Sequence, residues 1–508
     1  MLVNYGNLQN GSDIRGVAIE GTDKQVNLIP EVAKFIAYGF VKLLEIKINV
    51  VAENLKVAVG IDSRISGEAL KDAVIEGLTD LGCKVYDCGM ATTPAMFMTT
   101  VLENYKCNGA IMITASHLPY YYNGLKFFTR DGGCEEEDIK NILEKASKEK
   151  SYSSNNKREV IKVDFIDEYS KVLVDMIRSG ANSGENYNKP LVGFKIIVDA
   201  GNGAGGFFAY KVLKELGANV EGSQFTEPDG TFPNHIPNPE NKEAMESIRN
   251  AVLTHKADLG IIFDTDVDRA AVVNSDGMEI NKNTLIALIS SIILEEYPKS
   301  IVVTDSITST GLTEFITNLG GVHHRFKRGY KNVINESIRL NNEGKESYLA
   351  IETSGHAALK ENYFLDDGAY LIAKILVKMA KLNLEGKGLE SLIRDLKLPA
   401  ESNEFRFKIK TINFKEYGAL VLKDLESYVR ETKGWSLAQD NYEGIRVDCD
   451  KSNGQGWFLL RLSLHEPLLV LNIESDIKGG TEIIKDKLNL FLEKYNKIDL
   501  TWIMKVAV

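Results

Sequence analysis

Three aspartates at alternate positions, Asp264, Asp266 and Asp268, follow the apolar run Leu259-Gly-Ile-Ile-Phe263 and precede Arg269. On an extended backbone alternate side chains share a face, so this spacing brings three carboxylates together. Unpaired, they repel one another. A hard divalent cation with oxygen ligands resolves the conflict, and Mg2+ is the natural candidate. Arg269 beside them can hold a phosphate bidentately. A solvated acidic turn is the plain alternative; a calcium loop is excluded, because its glycine and distal glutamate are missing at the required offsets.

Ser116 is the second candidate. Gly109-Ala-Ile-Met-Ile-Thr-Ala-Ser-His-Leu-Pro119 reads as a buried strand running out into an exposed loop, which is where ligands of α/β sheets sit. A serine hydroxyl needs a base, a cation or a metal to become a nucleophile. His117 stands beside it, and Pro119 stiffens the chain behind it. Capping of a following helix by Thr114 or Ser116 explains the same residues.

Other segments add binding groups. In Ala350-Ile-Glu-Thr-Ser-Gly-His356, the alternating Glu352, Ser354 and His356 offer one acceptor and two donor-acceptors, a set suited to sugar hydroxyls. Ser-Gly-His also makes an ordinary turn. Arg461, Ser463 and His465 alternate after a Trp-Phe-Leu-Leu strand. Arg with Ser makes a phosphate cradle, and a surface arginine on an edge strand is the rival reading. Gly11-Ser-Asp-Ile-Arg-Gly16 sets Arg15 between glycines, where the backbone can bend around an anion. Lys126, in Gly124-Leu-Lys126, and Lys331, in Gly329-Tyr-Lys331, are further cations beside glycines.

These residues need elements to hold them, and a faint internal repeat supplies three. Leu55 to Ser63 closing at Leu81-Gly, Phe194 to Asn202 closing at Leu216-Gly, and Ser300 to Ser306 closing at Leu319-Gly follow one plan. Each reads strand, Asp-containing turn, helix, Leu-Gly stop, strand, a βαβ crossover with glycine ending its helix. Three related α/β domains are expected rather than one large doubly wound sheet. Lys148 to Lys157 and Gly180 to Pro190 read as linker or surface loop, with a helix from Phe165 to Ile177 between them that docks on the first domain. After Glu401 the pattern changes to short strands, Glu443–Asp448, Gly456–Ser463 and Leu468–Ile473, and a closing helix from Gly480 to Tyr495, an α+β tail.

The length of 508 residues exceeds one hydrophobic core. Apolar content of 44% and charged content of 26% describe an ordinary globular protein. A net charge of -11 argues against nucleic acid or an anionic membrane as partner, but not against phosphorylated substrates. The N-terminus Met1-Leu-Val-Asn-Tyr shows no targeting pattern, and Pro30 to Ile46 suits an amphipathic helix rather than a span. Five cysteines without a Cys-x-x-Cys pair read as reduced thiols in a cytoplasmic protein.

Together the motifs resemble the α-D-phosphohexomutase superfamily, the phosphoglucomutase/phosphomannomutase enzymes. The serine loop, the Asp-x-Asp-x-Asp-Arg loop, the Glu-x-Ser-Gly-His loop and the Arg-x-Ser loop stand in the family's order. The resemblance implies four domains around a central cleft, the first three related α/β repeats with mixed sheets and the fourth α+β, at 1–160, 161–298, 299–400 and 401–508. It implies a phosphoserine at Ser116 and Mg2+ held by Ser116, Asp264, Asp266 and Asp268. Arg15, His117, Lys126 and Arg269 would border phosphoryl transfer, with Lys126 as general acid/base. Glu352 and Ser354 would hold sugar hydroxyls, with Gly329, Lys331 and His356 on the same side. Arg461, Ser463 and His465 would grip the phosphate that is not transferred.

The activity implied is interconversion of hexose 1-phosphate and hexose 6-phosphate, glucose or mannose, through hexose 1,6-bisphosphate, which also acts as activator. Phosphoglucosamine mutase and a catalytically weak sugar-phosphate-binding paralogue are the alternatives, and monomer or homo-oligomer is left open. Two departures bear on the sugar. The family usually carries Arg-x-Ser-x-Thr-Glu-Pro followed by a second arginine. Here Leu464 and His465 occupy the middle and Val470 stands where that arginine is expected. Phe326-Lys-Arg-Gly-Tyr-Lys331 replaces the usual Thr-x-Val-Gly-Asp-Lys, which puts Tyr330 on the sugar side.

Overall fold

A computed structural model describes residues 4–21, 24–148, 159–182, 184–439, 441–463 and 466–501. The chain forms two compact units, Met1–Ile280 with Ser354–Leu389, and Asn281–Thr353 with Glu390–Val508.

The first unit holds a mixed sheet whose spatial order is Gln9–Asn10, Asp13–Val17, Tyr122–Thr129, Gly109–Ile113, Lys56–Ile61, Lys84–Met90 and Val160–Lys162. The strands Gly109–Ile113, Lys56–Ile61 and Lys84–Met90 run parallel. Helices such as Pro30–Ile48 cover them, so Gly109–Ile113 is buried on both faces and reads as one apolar run. Tyr122–Thr129 returns antiparallel and sets Lys126 opposite Met112, three residues short of the serine loop's Ala115.

The three Leu-Gly stops behave alike: Gly82, Gly217 and Gly320 sit at φ 84°, 90° and 83°. Glycine adopts this left-handed conformation without steric cost and so ends each crossover. The first and third crossovers are α-helices, Gly67–Asp80 and Thr310–Asn318. The second departs. It is a 3-10 turn, Ala204–Gly206, running into π-helical Phe208–Leu213, and its closing strand shrinks to two isolated bridges, Lys195–Asn219 and Asp199–Gln224. Close packing is the cause. A Cβ on Gly203 would meet the Thr265 carbonyl oxygen at 2.6 Å and one on Gly206 the Thr226 carbonyl oxygen at 2.1 Å. Glycines let the chain approach the aspartate loop but are poor helix formers.

The second sheet pairs Ile196–Asp199 in parallel with Leu259–Phe263, which forms a hairpin with Ala270–Asn274. The expected helix is Phe165–Ala181. It meets the first repeat through Phe165 on Tyr105, at 4.9 Å between ring centroids. It also packs on helix Gly368–Leu384, where a Cβ on Gly180 would meet Val377 at 2.8 Å. Tyr169 on it donates to Asp367 at 2.6 Å.

In the second unit, Val322–Phe326, Ile301–Asp305 and Ser347–Ile351 lie parallel in that order. The tail is an antiparallel sheet ordered Glu401–Lys408, Leu468–Ser475, Gly456–Leu462, Ile445–Cys449 and Trp435–Leu437. Strand alternation turns Phe405, Phe407, Phe458, Leu460, Leu469 and Leu471 into one core with helices Phe414–Glu431 and Gly480–Leu492. The intervening residues, among them Glu404, Arg406, Arg461, Val470 and Asn472, belong to the opposite face. The α+β expectation for the tail holds.

All five cysteines are free and buried. Among the described residues, no helix is long and apolar enough to cross a membrane.

Candidate active site

The strand Gly109–Ile113 delivers Ser116 into a turn at φ 49°, an uncommon conformation for a residue with a Cβ. Such strain persists only where the surroundings over-determine it. Thr114 Oγ accepts from the Ser116 amide at 2.9 Å and donates to Asp62 at 2.7 Å. The larger constraint comes from Arg64. Its guanidinium donates to the carbonyls of Pro119 and Tyr122 at 2.9 Å, of Leu118 at 2.6 Å, and of Ser116. Asp62 and Arg64 form a fully buried ion pair at 3.3 Å.

In the sequence the first repeat's strand ends in a polar turn at Asp62-Ser63, and Arg64 beyond it carries no signal. A buried charge clamping four carbonyls is visible only in three dimensions. Arg64→Ala is expected to lose about 3–5 kcal/mol of unfolding free energy, because it strands a buried carboxylate; urea denaturation measures this.

Ser116 does not cap a helix. Its hydroxyl donates to Asp264 Oδ2 at 2.9 Å and accepts from Arg269 at 2.9 Å, with His117 Nδ1 at 3.4 Å. The three aspartates do converge, their oxygens within 4.8 Å of one another. Their route differs from the expected extended segment: the strand ends at Phe263, and residues 264–268 form a turn with Val267 at φ 64°. A β-branched residue in this conformation is a genuine outlier. The turn is tied down at both sides. The Arg269 amide donates to Asp264 Oδ1 at 3.1 Å, and Thr93 Oγ donates to Asp266 Oδ2 at 2.5 Å. Thr93 opens the helix Thr93–Val101, and nothing in its sequence context singled it out.

Charge balance decides what this cluster can hold. All three aspartates are buried. Burial, then Asp268 and Asp266, pushes the Asp264 carboxyl well above the usual range. For Asp268 burial pushes the same way, but Lys126 first, then His356 and Arg269, hold it below. Lys126 donates to Asp268 and lies 3.5 Å from Asp266. Asp266 Oδ1 and Asp268 Oδ1 are nevertheless buried with no hydrogen-bond partner. Two orphaned carboxylate oxygens beside a third carboxylate fit an oxygen-liganded divalent cation.

Arg269, then burial and Arg15, depress the His117 imidazole well below its ordinary value, so the ring is neutral at pH 7. Arg15 reaches the serine loop, donating to the Thr114 carbonyl at 2.5 Å and to Asp13 at 2.8 Å. Of the two glycines flanking this segment only Gly11, at φ 57°, bends the chain, in the hairpin between Gln9–Asn10 and Asp13–Val17. Arg15 lies within strand Asp13–Val17, and a Cβ on Gly16 would meet Asn27 and Leu28 at 2.7 Å, so that glycine serves packing.

His356 departs from the expected sugar-hydroxyl set. Residues 353–354 form a turn, and Gly355 at φ 94° breaks the alternation. His356 pairs with Asp366 and stands 3.9 Å from Asp268. Burial lowers its pKa, but Asp366 and Asp268 outweigh burial and raise it to about 9. It is a cation flanking the aspartates.

In the second unit, Glu352 accepts from the Gly329 amide at 2.6 Å. Gly329, at φ 111°, precedes the helix Tyr330–Asn342 that carries Lys331. Arg461 lies 3.5 Å from Glu443, which also accepts from Ser306 Oγ at 2.7 Å and the Arg328 amide at 3.0 Å. In the sequence Glu443 reads only as the first residue of a short strand. Ser463 Oγ accepts from the Glu466 amide at 3.3 Å. Leu464 and His465 lie outside the described residues.

Three family domains match the chain: phosphoglucomutase/phosphomannomutase alpha/beta/alpha domain I over residues 6–153, domain II over 168–277 and domain III over 281–398. The phosphomannomutase/phosphoglucomutase of Pseudomonas syringae pv. tomato is 31% identical over 440 residues, 86% of this chain and 87% of that protein. The chain belongs to the phosphoglucomutase/phosphomannomutase family.

The phosphoglucomutase/phosphomannomutase of Thermococcus kodakarensis is also 31% identical, over 467 residues, 91% of this chain and 93% of that one. A crystal structure of a phosphoglucomutase/phosphomannomutase family protein from Burkholderia thailandensis superposes with a TM-score of 0.78 at 25% identity, covering 97% of this chain and 98% of that one. Membership in the α-D-phosphohexomutase superfamily makes the chain an intramolecular phosphotransferase.

Proposed function

We propose that this enzyme interconverts hexose 1-phosphate and hexose 6-phosphate, of glucose and/or mannose, through phosphorylated Ser116 and a hexose 1,6-bisphosphate that also serves as activator. The observation that carries this reading is the Ser116 hydroxyl. It is held in a left-handed turn 2.9 Å from both Asp264 and Arg269, beside two unsatisfied carboxylate oxygens.

Asp264, Asp266, Asp268 and the Ser116 oxygen would hold Mg2+, which would supply charge neutralisation for phosphoryl transfer. The chain's own groups do the rest. Arg269 binds the transferring phosphoryl with its guanidinium fork. Neutral His117 and Arg15 hold the serine loop in place. Lys126 takes the proton of the attacking sugar hydroxyl at Nζ and delivers it to Ser116 Oγ as that oxygen leaves the phosphoryl group. Glu352 and Ser354 orient sugar hydroxyls, with Gly329 and Lys331 beside them, and Arg461 and Ser463 hold the distal phosphate; His465 would add a donor there. Orientation and fixed charge provide most of the rate, as expected for phosphoryl transfer.

The division 1–160, 161–298, 299–400 and 401–508 goes with this reading, as does a cytoplasmic location, which five buried free thiols support. The partner is a small sugar phosphate.

A coupled assay with Mg2+ and trace glucose 1,6-bisphosphate, comparing glucose, mannose and glucosamine 1-phosphates by kcat/KM, tests it. Turnover of glucose or mannose 1-phosphate is expected. Preference for glucosamine 1-phosphate would move the substrate, and no turnover of any, with Ser116 unphosphorylated, would sink the mutase reading.

A further inference from the structure

The missing arginine at 470 leaves a gap in a row of cross-strand neighbours. Arg461 pairs with Val470 on the adjacent strand, and Val470 pairs with Arg406 on the next. Directly opposed residues share a face. The core-facing neighbours Phe405, Leu460 and Leu471 show that this face points away from the covering helices. Arg461, Val470 and Arg406 therefore stand side by side, the outer two separated by two strand spacings, about 10 Å.

Nothing long stands between the two arginines, because Val470 is a short, buried side chain. Burial comes first among the influences that lower the Arg461 pKa; Arg328 and Arg406 add to it, and Glu443 and Glu404 oppose it. The two guanidinium groups thus feel each other across the valine. Arg461 Nε is buried without a hydrogen-bond partner, a donor still lacking an acceptor. Arg406 is 40% exposed and lies 3.1 Å from Glu404, which Asn472 also contacts at 3.2 Å. An anion between two mutually repelling forks, one with an unsatisfied donor, relieves both strains.

We propose that Arg406 is the second cation of the distal phosphate site, doing from the neighbouring strand what the family's arginine does from the position of Val470. This rests on the reading of Arg461 as the first. The phosphate is bridged by the two forks above Val470, and Arg406 exchanges Glu404 for it on binding. Lys408, the other cation on this strand face, opposes Leu468 one row away and carries no planar fork.

The test uses the full-length enzyme in two measurements, kcat/KM in the coupled assay and the dissociation constant of glucose 6-phosphate by calorimetry. Arg406→Ala is expected to lower both affinity and kcat/KM by roughly tenfold to a hundredfold, the worth of a hydrogen bond to a charged group. Lys408→Ala is expected to stay within about twofold, as for most surface substitutions. Adding Val470→Arg to Arg406→Ala, which restores the family's own arrangement, is expected to recover at least half of the loss on a logarithmic scale.

If Arg461→Ala weakens binding and Arg406→Ala does not, this inference falls and the reading of the site stands. If neither variant weakens it, the distal phosphate site itself is misassigned and the inference falls with it. Equal loss in Lys408→Ala, or loss in Arg406→Ala that Val470→Arg does not rescue, also overturns it, since a diffuse field or a disturbed sheet would then be responsible.

Discussion

Ser116→Ala is expected to abolish hexose phosphate turnover, by roughly four orders of magnitude or more, while the protein stays folded. Removal of a nucleophile from a covalent mechanism leaves only the residual catalysis of binding and fixed charge. The cost to the fold is small by comparison. The hydroxyl makes one bond to Asp264, one to Arg269 and a long one, 3.4 Å, to His117 Nδ1. Asp264 keeps the Arg269 amide and Nε at 3.1 Å each, so no buried charge is abandoned. A loss of about 1–2 kcal/mol is expected, a fraction of a domain's stability. Intact mass of the purified protein gives the second readout: wild type is expected to carry one phosphoryl group and the alanine variant none. Normal turnover by Ser116→Ala, or a phosphoryl group on both proteins, would remove Ser116 from the mechanism.

What the sequence made legible follows its chemistry closely. The three Leu-Gly stops were readable because only glycine takes the left-handed conformation cheaply, and each does so. The aspartates were readable because their identities alone demand a counter-charge. Their geometry was not: the turn through Val267 depends on the Thr93 hydroxyl and on Gly203 and Gly368 packing against the loop. None of these is near Val267 in sequence. Arg64 and Glu443 were hidden for a related reason. Each serves by joining groups from distant segments, and a lone charged residue beside a strand carries no mark of that. His356 was assigned by alternation to the sugar side, and a left-handed glycine turned it toward Asp366 instead.

Chelation is the second large effect. Removal of divalent metal is expected to abolish turnover, and Mg2+ is expected to raise the unfolding free energy by about 2.7 kcal/mol at a hundredfold excess over its dissociation constant. The asymmetry of the cluster gives the reason. Lys126, Arg269 and His356 approach Asp268 and Asp264, yet Asp266 Oδ1 and Asp268 Oδ1 accept no hydrogen bond, His356 and Arg269 standing 3.9 Å from the latter. Without a cation, three buried carboxylates repel, and Asp264 is driven toward protonation by burial and its two neighbours. Asp266→Asn therefore separates two consequences that usually run together. Turnover with Mg2+ is expected to fall by roughly a hundredfold or more, and the stabilisation by Mg2+ to be largely lost, because a ligand is gone. The metal-free variant, however, is expected to be at least as stable as metal-free wild type, since one buried like charge has been removed and Thr93 can still donate to the amide oxygen. Thermal melts with and without Mg2+ on both proteins measure all three quantities. Wild type whose melting is unmoved by Mg2+ and whose activity survives chelation would show that the aspartates serve the fold and not a metal. A metal-free variant markedly less stable than metal-free wild type would show that Asp266 is held mainly by its hydrogen bonds, and that repulsion within the triad is weak.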